Sequence, residues 1–124
     1  SVSDNTATGT VNVSDRGRLF INDHFASRNP ARSLDELAFH YELSKEAHSA
    51  VLEVLDLTGQ RVAEHRLSGS GNDGVRSGWN TVQWADLGAD AGTLASGIYF
   101  YRLEVYERGV NEPIVEIGKF AVVR

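Results

Sequence analysis

The feature that most limits this chain is apolar alternation with a period of two. Leu37, Phe39, Tyr41 and Leu43 alternate with Ala38, His40 and Glu42, and Tyr99, Tyr101, Leu103 and Val105 alternate with Phe100, Arg102 and Glu104. Successive side chains of an extended strand point to opposite faces, so this spacing makes one apolar face and one polar face. Residues 34–43 can also be given helical spacing, but the aromatic content and the lack of an apolar stripe from Ser44 to Ala50 favour the strand. Further strands are expected at Leu19 to Phe25, Val51 to Leu57, Val62 to Leu67, Trp79 to Trp84 and Ile114 to Val123, with the second alternation running from Ile98 to Tyr106. Gly, Asn, Asp and Pro punctuate them. Pro30 lacks an N–H and belongs at an edge or strand boundary. In Asp56-Leu57-Thr58-Gly59, the carboxylate can accept backbone N–H groups of a turn, and Gly59 can take positive φ. About seven strands at roughly 8–12-residue spacing, without strand–helix alternation, predict an all-β antiparallel sandwich or barrel.

Size and charge remove other classes. The 124 residues fit one domain, with 41 % apolar and 23 % charged residues and a net charge of −5. The twelve Lys and Arg residues are scattered, so no basic stripe for nucleic acid exists. The longest apolar runs, Ile98 to Tyr101 and Phe120 to Val123, are too short to span a bilayer, so no direct membrane insertion is expected. Residues 1–18 read as a linker or edge strand and 19–124 as the domain. The start has neither a basic nor an apolar signal region, and Met is absent, which is expected of a piece cut from a longer protein. Two loops are expected at Ser68 to Gly78 and Asp86 to Ser96.

No enzyme is expected. Cysteine is absent, and His24, His40, His48 and His65 share no metal-ligand spacing, so neither catalytic residue nor metal ligand is assigned and no cofactor is implied. Ser68-Gly69-Ser70-Gly71 matches a nucleophile elbow in letters only. Asp86 and Asp90 could lend oxygens to calcium, but the loop lacks the further carboxylates of a dedicated site. Trp79, Trp84, Tyr99, Tyr101 and Tyr106 read mainly as core aromatics, with Trp79 the one expected at the surface.

Four stretches carry a resemblance. Leu52-Glu53-Val54-Leu55-Asp56-Leu57-Thr58-Gly59-Gln60-Arg61-Val62, Ser96-Gly97-Ile98-Tyr99-Phe100-Tyr101-Arg102-Leu103, Lys119-Phe120-Ala121-Val122-Val123-Arg124 and Arg28-Asn29-Pro30-Ala31 follow one another as in type IX secretion C-terminal sorting domains. Those domains are related to the Ig-like domain of flagellar hook-capping proteins, so the resemblance implies an all-β fold, an Ig-like antiparallel β-sandwich of about seven strands. Arg28 and Gln60 depart from the family pattern, and the loops at 68–78 and 107–113 are longer, which is more similar to the C-terminal domain of that system's cysteine-peptidase-type sortase. The resemblance implies Asp56, Gly59, Gly97, Tyr99 and Tyr101 as motif residues. It implies Lys119, Phe120, Val122, Val123 and Arg124 as the segment read by the secretion machinery and outer-membrane shuttle proteins. On that reading the terminal strand offers its backbone edge to a receptor. The parent protein would pass through the periplasm to the outer-membrane surface or the medium. The alternatives are a carbohydrate- or protein-binding accessory module of a secreted hydrolase, and a flagellar cap-protein domain.

Overall fold

The computed structural model describes residues 17–68, 74–87 and 94–124. Among them the chain forms β1 (Ile21–Ser27), β2 (Ala38–Leu43), β3 (Ser49–Leu55), β4 (Arg61–Ser68), β5 (Gly78–Gln83), β6 (Gly97–Tyr106) and β7 (Ile114–Val122). One sheet has the order β1-β2-β5 and the other β4-β3-β6-β7, all neighbours antiparallel. This is the expected all-β sandwich of two sheets. The only helical pieces described are 3-10 turns at Leu34–Glu36 and Trp84–Leu87, and no helix is long and apolar enough to cross a membrane.

The two alternations read from the sequence face each other across the core. Phe39, Tyr41 and Leu43 of β2 and Tyr99, Tyr101, Leu103 and Val105 of β6 are all buried. Register carries the pattern to the partners. Tyr99 pairs with Phe120, and Val54 with Tyr101, so the inward residues of β3, β6 and β7 form one layer. Across the layers Phe39 packs edge-on against Phe120 at 5.4 Å and tilted against Tyr101 at 5.3 Å. Offset and edge-to-face contacts of this kind add about 0.5–1.5 kcal/mol to the burial itself. β3 has a neighbour on each side and buries Ala50, Leu52 and Val54 completely.

Three boundaries differ from the sequence expectation. β1 begins at Ile21, and Leu19 instead enters the core, its N–H donating to the Glu107 carboxylate at 3.3 Å. Lys45 and Arg18 bond the same carboxylate, at 2.9 and 3.3 Å, tying the first described residues to the β6–β7 loop. The helical spacing over 34–43 resolves into a short 3-10 turn whose cap, Ser33, accepts from the Asp35 N–H, followed by the strand. β5 ends at Gln83, because Trp84 turns inward to become buried and donates its N–H to Leu37.

The segment after residue 73 is anchored, which its Gly-rich sequence did not suggest. Val75 is fully buried. Asn80, the one buried polar residue among those described, accepts from Gly74 and Arg76 N–H and donates to the Arg76 and Gly78 carbonyls. A buried amide with all of its bonding capacity used offsets its desolvation and fixes the loop. Ser70, Gly71 and Asp90 lie outside the described residues, so the elbow-like letters and the second calcium candidate do as well.

Candidate functional site

The Asp56 turn is built as its sequence implies. Asp56 Oδ1 accepts from the Thr58 N–H at 2.9 Å, the Thr58 hydroxyl at 2.6 Å and the Gln60 N–H at 3.0 Å. Gly59 has φ of 88°, in the left-handed region, and donates its N–H to the Asp56 carbonyl. The Thr58 hydroxyl first, then the turn N–H groups, hold the Asp56 carboxyl below its ordinary range against the opposing effect of desolvation. Glu107 is likewise lowered, chiefly by Lys45. A carboxyl depressed in the folded state stabilises the fold above its unfolded pKa of about 4 and loses that contribution as pH falls through its folded value. The melting temperature is therefore expected to hold from neutral pH down to about 5 and drop below about 4. The pair Asp56→Asn with Glu107→Gln should begin lower at neutral pH and show a shallower acid limb in thermal melts.

Far apart in sequence, the four motif stretches converge at one end of the sandwich. Leu55 pairs with Phe100, Phe100 with Lys119, and Gly97 with Val122, which sets the Asp56 turn, the start of β6 and the end of β7 side by side. Asp56, Leu57, Thr58, Ser96, Gly97, Ile98 and Tyr99 line a depression of about 230 Å³. The fourth stretch joins from the other sheet. Ala31 donates its N–H to the Ala121 carbonyl and accepts the Val123 N–H, both at 2.9 Å, in a parallel bridge. Asn29 accepts the Ala121 N–H at 3.0 Å and donates to the Lys119 carbonyl. The Asn29–Pro30 bond is cis.

This arrangement revises the expected use of the terminal strand. Its backbone edge over 119–123 is already paired with residues 29–31, so a receptor strand cannot add there. The candidate residues also divide by face. Phe120 and Val122 are core residues at 1 % and 2 % exposure, Phe120 stacking on Tyr99 at 5.7 Å. Lys119, Val123 and Arg124 are exposed. The Arg124 N–H donates to the Ser96 hydroxyl and its guanidinium to the Leu94 carbonyl. Leu57 at 66 % and Ile98 at 39 % add exposed apolar surface in the depression that also holds Ser96, the partner of Arg124.

The motif tyrosines serve the core. Tyr99 donates to the Ala95 carbonyl, closing the start of β6. The Tyr101 hydroxyl lies 2.7 Å from His24 Nδ1, and His24 Nε2 lies 3.3 Å from Glu116, bridging the sheets. Burial first, then the Asp23 and Glu116 charges, push the Tyr101 hydroxyl up to about 12, so it stays protonated. His40 is half-buried rather than free, bonded to Ser27 at 2.7 Å and Thr81 at 3.0 Å. Asp86 is used in capping, accepting the Gln83 N–H at 2.9 Å. Among the described residues no group of three His, Asp or Glu could hold a metal ion.

On the opposite half of the β3–β4–β6 outer face, three arginines and three glutamates satisfy one another. Arg102 pairs with Glu53 and Glu104, Arg61 with Glu53 and Glu64, and Arg66 with Glu64. They line a shallow depression of about 580 Å³. Equal numbers of both signs leave it without net charge, and exposed pairs of this kind contribute little stability each.

Fold and site together define a small antiparallel β-sandwich domain with no catalytic constellation among its described residues. No family model matches the chain, and no curated protein matches it. Among solved structures, CopC from Methylosinus trichosporium OB3b is similar, with 20 % identity, a TM-score of 0.54, and coverage of 85 % of this chain and 93 % of CopC. The likeness is one of fold. PorZ, a surface component of the type-IX secretion system of Porphyromonas gingivalis, aligns at 23 % identity and a TM-score of 0.45, covering 94 % of this chain and 13 % of PorZ.

Proposed function

We propose that the domain is a non-catalytic sorting and attachment module that directs a larger exported protein through the type IX secretion route to the cell surface. What supports the reading is the meeting of four motif stretches, separated by up to about ninety residues, on one end of the sandwich. Core packing alone does not require the polar and exposed members of those motifs to gather. Recognition then reads side chains of a folded end, namely Lys119, Val123 and Arg124 with Leu57 and Ile98 beside them. Phe120 and Val122 hold that end in place from beneath.

The test is Lys119→Ala with Arg124→Ala in the full-length protein. Exposed charges are worth at most about 1 kcal/mol, so the melting temperature should stay within a few degrees of wild type. Surface display should fall several-fold, with the protein accumulating in the periplasm. Normal display of the folded double variant would show that the two charges are not read.

A further inference from the structure

On the outer face of the β1–β2–β5 sheet, where the alternation places polar residues, two large aromatics stand half exposed. Phe25 is 46 % and Trp79 48 % accessible. Phe25 lies nearly parallel to the His40 imidazole, with centroids 4.7 Å apart and planes 24° apart, so His40 supports one face of a ring that stays half exposed. Trp79 meets Phe25 at 5.7 Å and 66°, from the far side of β2, making an open corner of two rings. The floor is fixed. Both nitrogens of His40 are engaged, by Ser27 and Thr81, and burial lowers its pKa, which keeps the ring neutral at pH 7.

At the margin, Asp23 and Glu42 pair across β1 and β2, and Glu42 stands opposite Trp79 across β2 and β5. Among the described residues neither carboxylate forms an ion pair, although Asp23 accepts the His24 N–H. From these residues we infer that this face binds a pyranose ring of a neutral glycan. A sugar has an apolar C–H face that fits a supported aromatic ring, and hydroxyls at its edge that carboxylates accept well. The charges exclude an anionic ligand. A protein partner needs about 800 Å² of complementary surface on each side, and beyond the two rings this face is polar apart from Ala38. A cation over a solvent-exposed ring is held only weakly, and two rings in an open corner do not build the aromatic cage that recognises quaternary ammonium groups.

The site stands apart from the motif end and does not depend on the sorting role. Soluble β-glucan, mannan, galactan and an N-acetylglucosamine tetramer are the probes, in affinity electrophoresis and by tryptophan fluorescence. Because Trp84 is buried, Trp79 reports contact. At least one probe should retard the protein and shift its emission. Trp79→Ala should abolish retardation, and Phe25→Leu, which keeps apolar bulk but no ring, should weaken it about tenfold. Ile117→Ala, at an exposed position on the other sheet, should bind as wild type. Circular dichroism confirms that each variant is folded. Failure of every probe at about 1 mM, a low-affinity limit, would overturn the inference. So would unchanged binding by folded Trp79→Ala, or displacement of the glycan by tetramethylammonium, which would make this a cation site.

Discussion

Gly118→Ala is expected to be among the most damaging single substitutions in this domain, although it adds one methyl group to a strand. A Cβ at position 118 would lie 2.2 Å from Tyr101 Cζ and 2.3 Å from its hydroxyl oxygen. Gly118 pairs with Tyr101 across β6 and β7, and the tyrosine ring lies over the glycine backbone. That ring cannot retreat, being packed against Phe39 and held by its bond to His24. Overpacking of a core typically costs about 1–3 kcal/mol and more where nothing yields. A loss near the top of that range should lower the melting temperature by roughly 10–15 °C for a domain of this size. The same substitution in a Tyr101→Leu background should cost much less, because the obstructing ring is gone. Equal losses in both backgrounds would show that the clash is not the cause.

Phe120→Ala should be at least as costly, by a different route. Phe120 is 1 % exposed and touches Phe39 edge-on and Tyr99 face-on, so truncation leaves a cavity lined by rigid rings. Large-to-small changes of this type cost about 3–5 kcal/mol, against a total domain stability of about 5–15 kcal/mol. Denaturant melts should show the midpoint falling by roughly a fifth or more, with the slope unchanged. A deletion of residues 119–124 that blocked export would therefore not isolate recognition from unfolding. Lys119→Ala with Arg124→Ala separates them, because it leaves Phe120 and Val122 in place.

Local chemistry carried the strand plan and the Asp56 turn. Alternation at 37–43 and 99–105 is a short-range signal, and a carboxylate two residues before an N–H partner makes its own turn. What escaped the sequence depends on long-range register. Nothing near Gly118 indicates that Tyr101 lies over it, since that follows from the β6–β7 pairing. The bridge from residues 29–31 to the end of β7 joins positions about ninety residues apart without any periodic pattern. In the sequence Phe25 belongs with Leu19, Phe20 and Ile21 to one apolar segment. A bulge between Ile21 and Asp23 breaks the register, and Phe25 emerges on the outer face beside Trp79. Trp79, Trp84, Tyr99, Tyr101 and Tyr106 form no common platform. Trp84, Tyr99 and Tyr101 are buried, and the exposed tryptophan takes its partners from β1 and β2.

The central claim is that this folded domain is itself sufficient to direct a passenger outward. Fusing a neutral, protease-sensitive reporter ahead of residues 1–124, behind a periplasmic export signal, in a bacterium with a type IX route tests it directly. Reporter accessible to external protease in the intact strain, and protected in a strain lacking the type IX translocon, is the expected result. Reporter held in the periplasm of the intact strain, with the domain folded by its melting curve, would contradict the account.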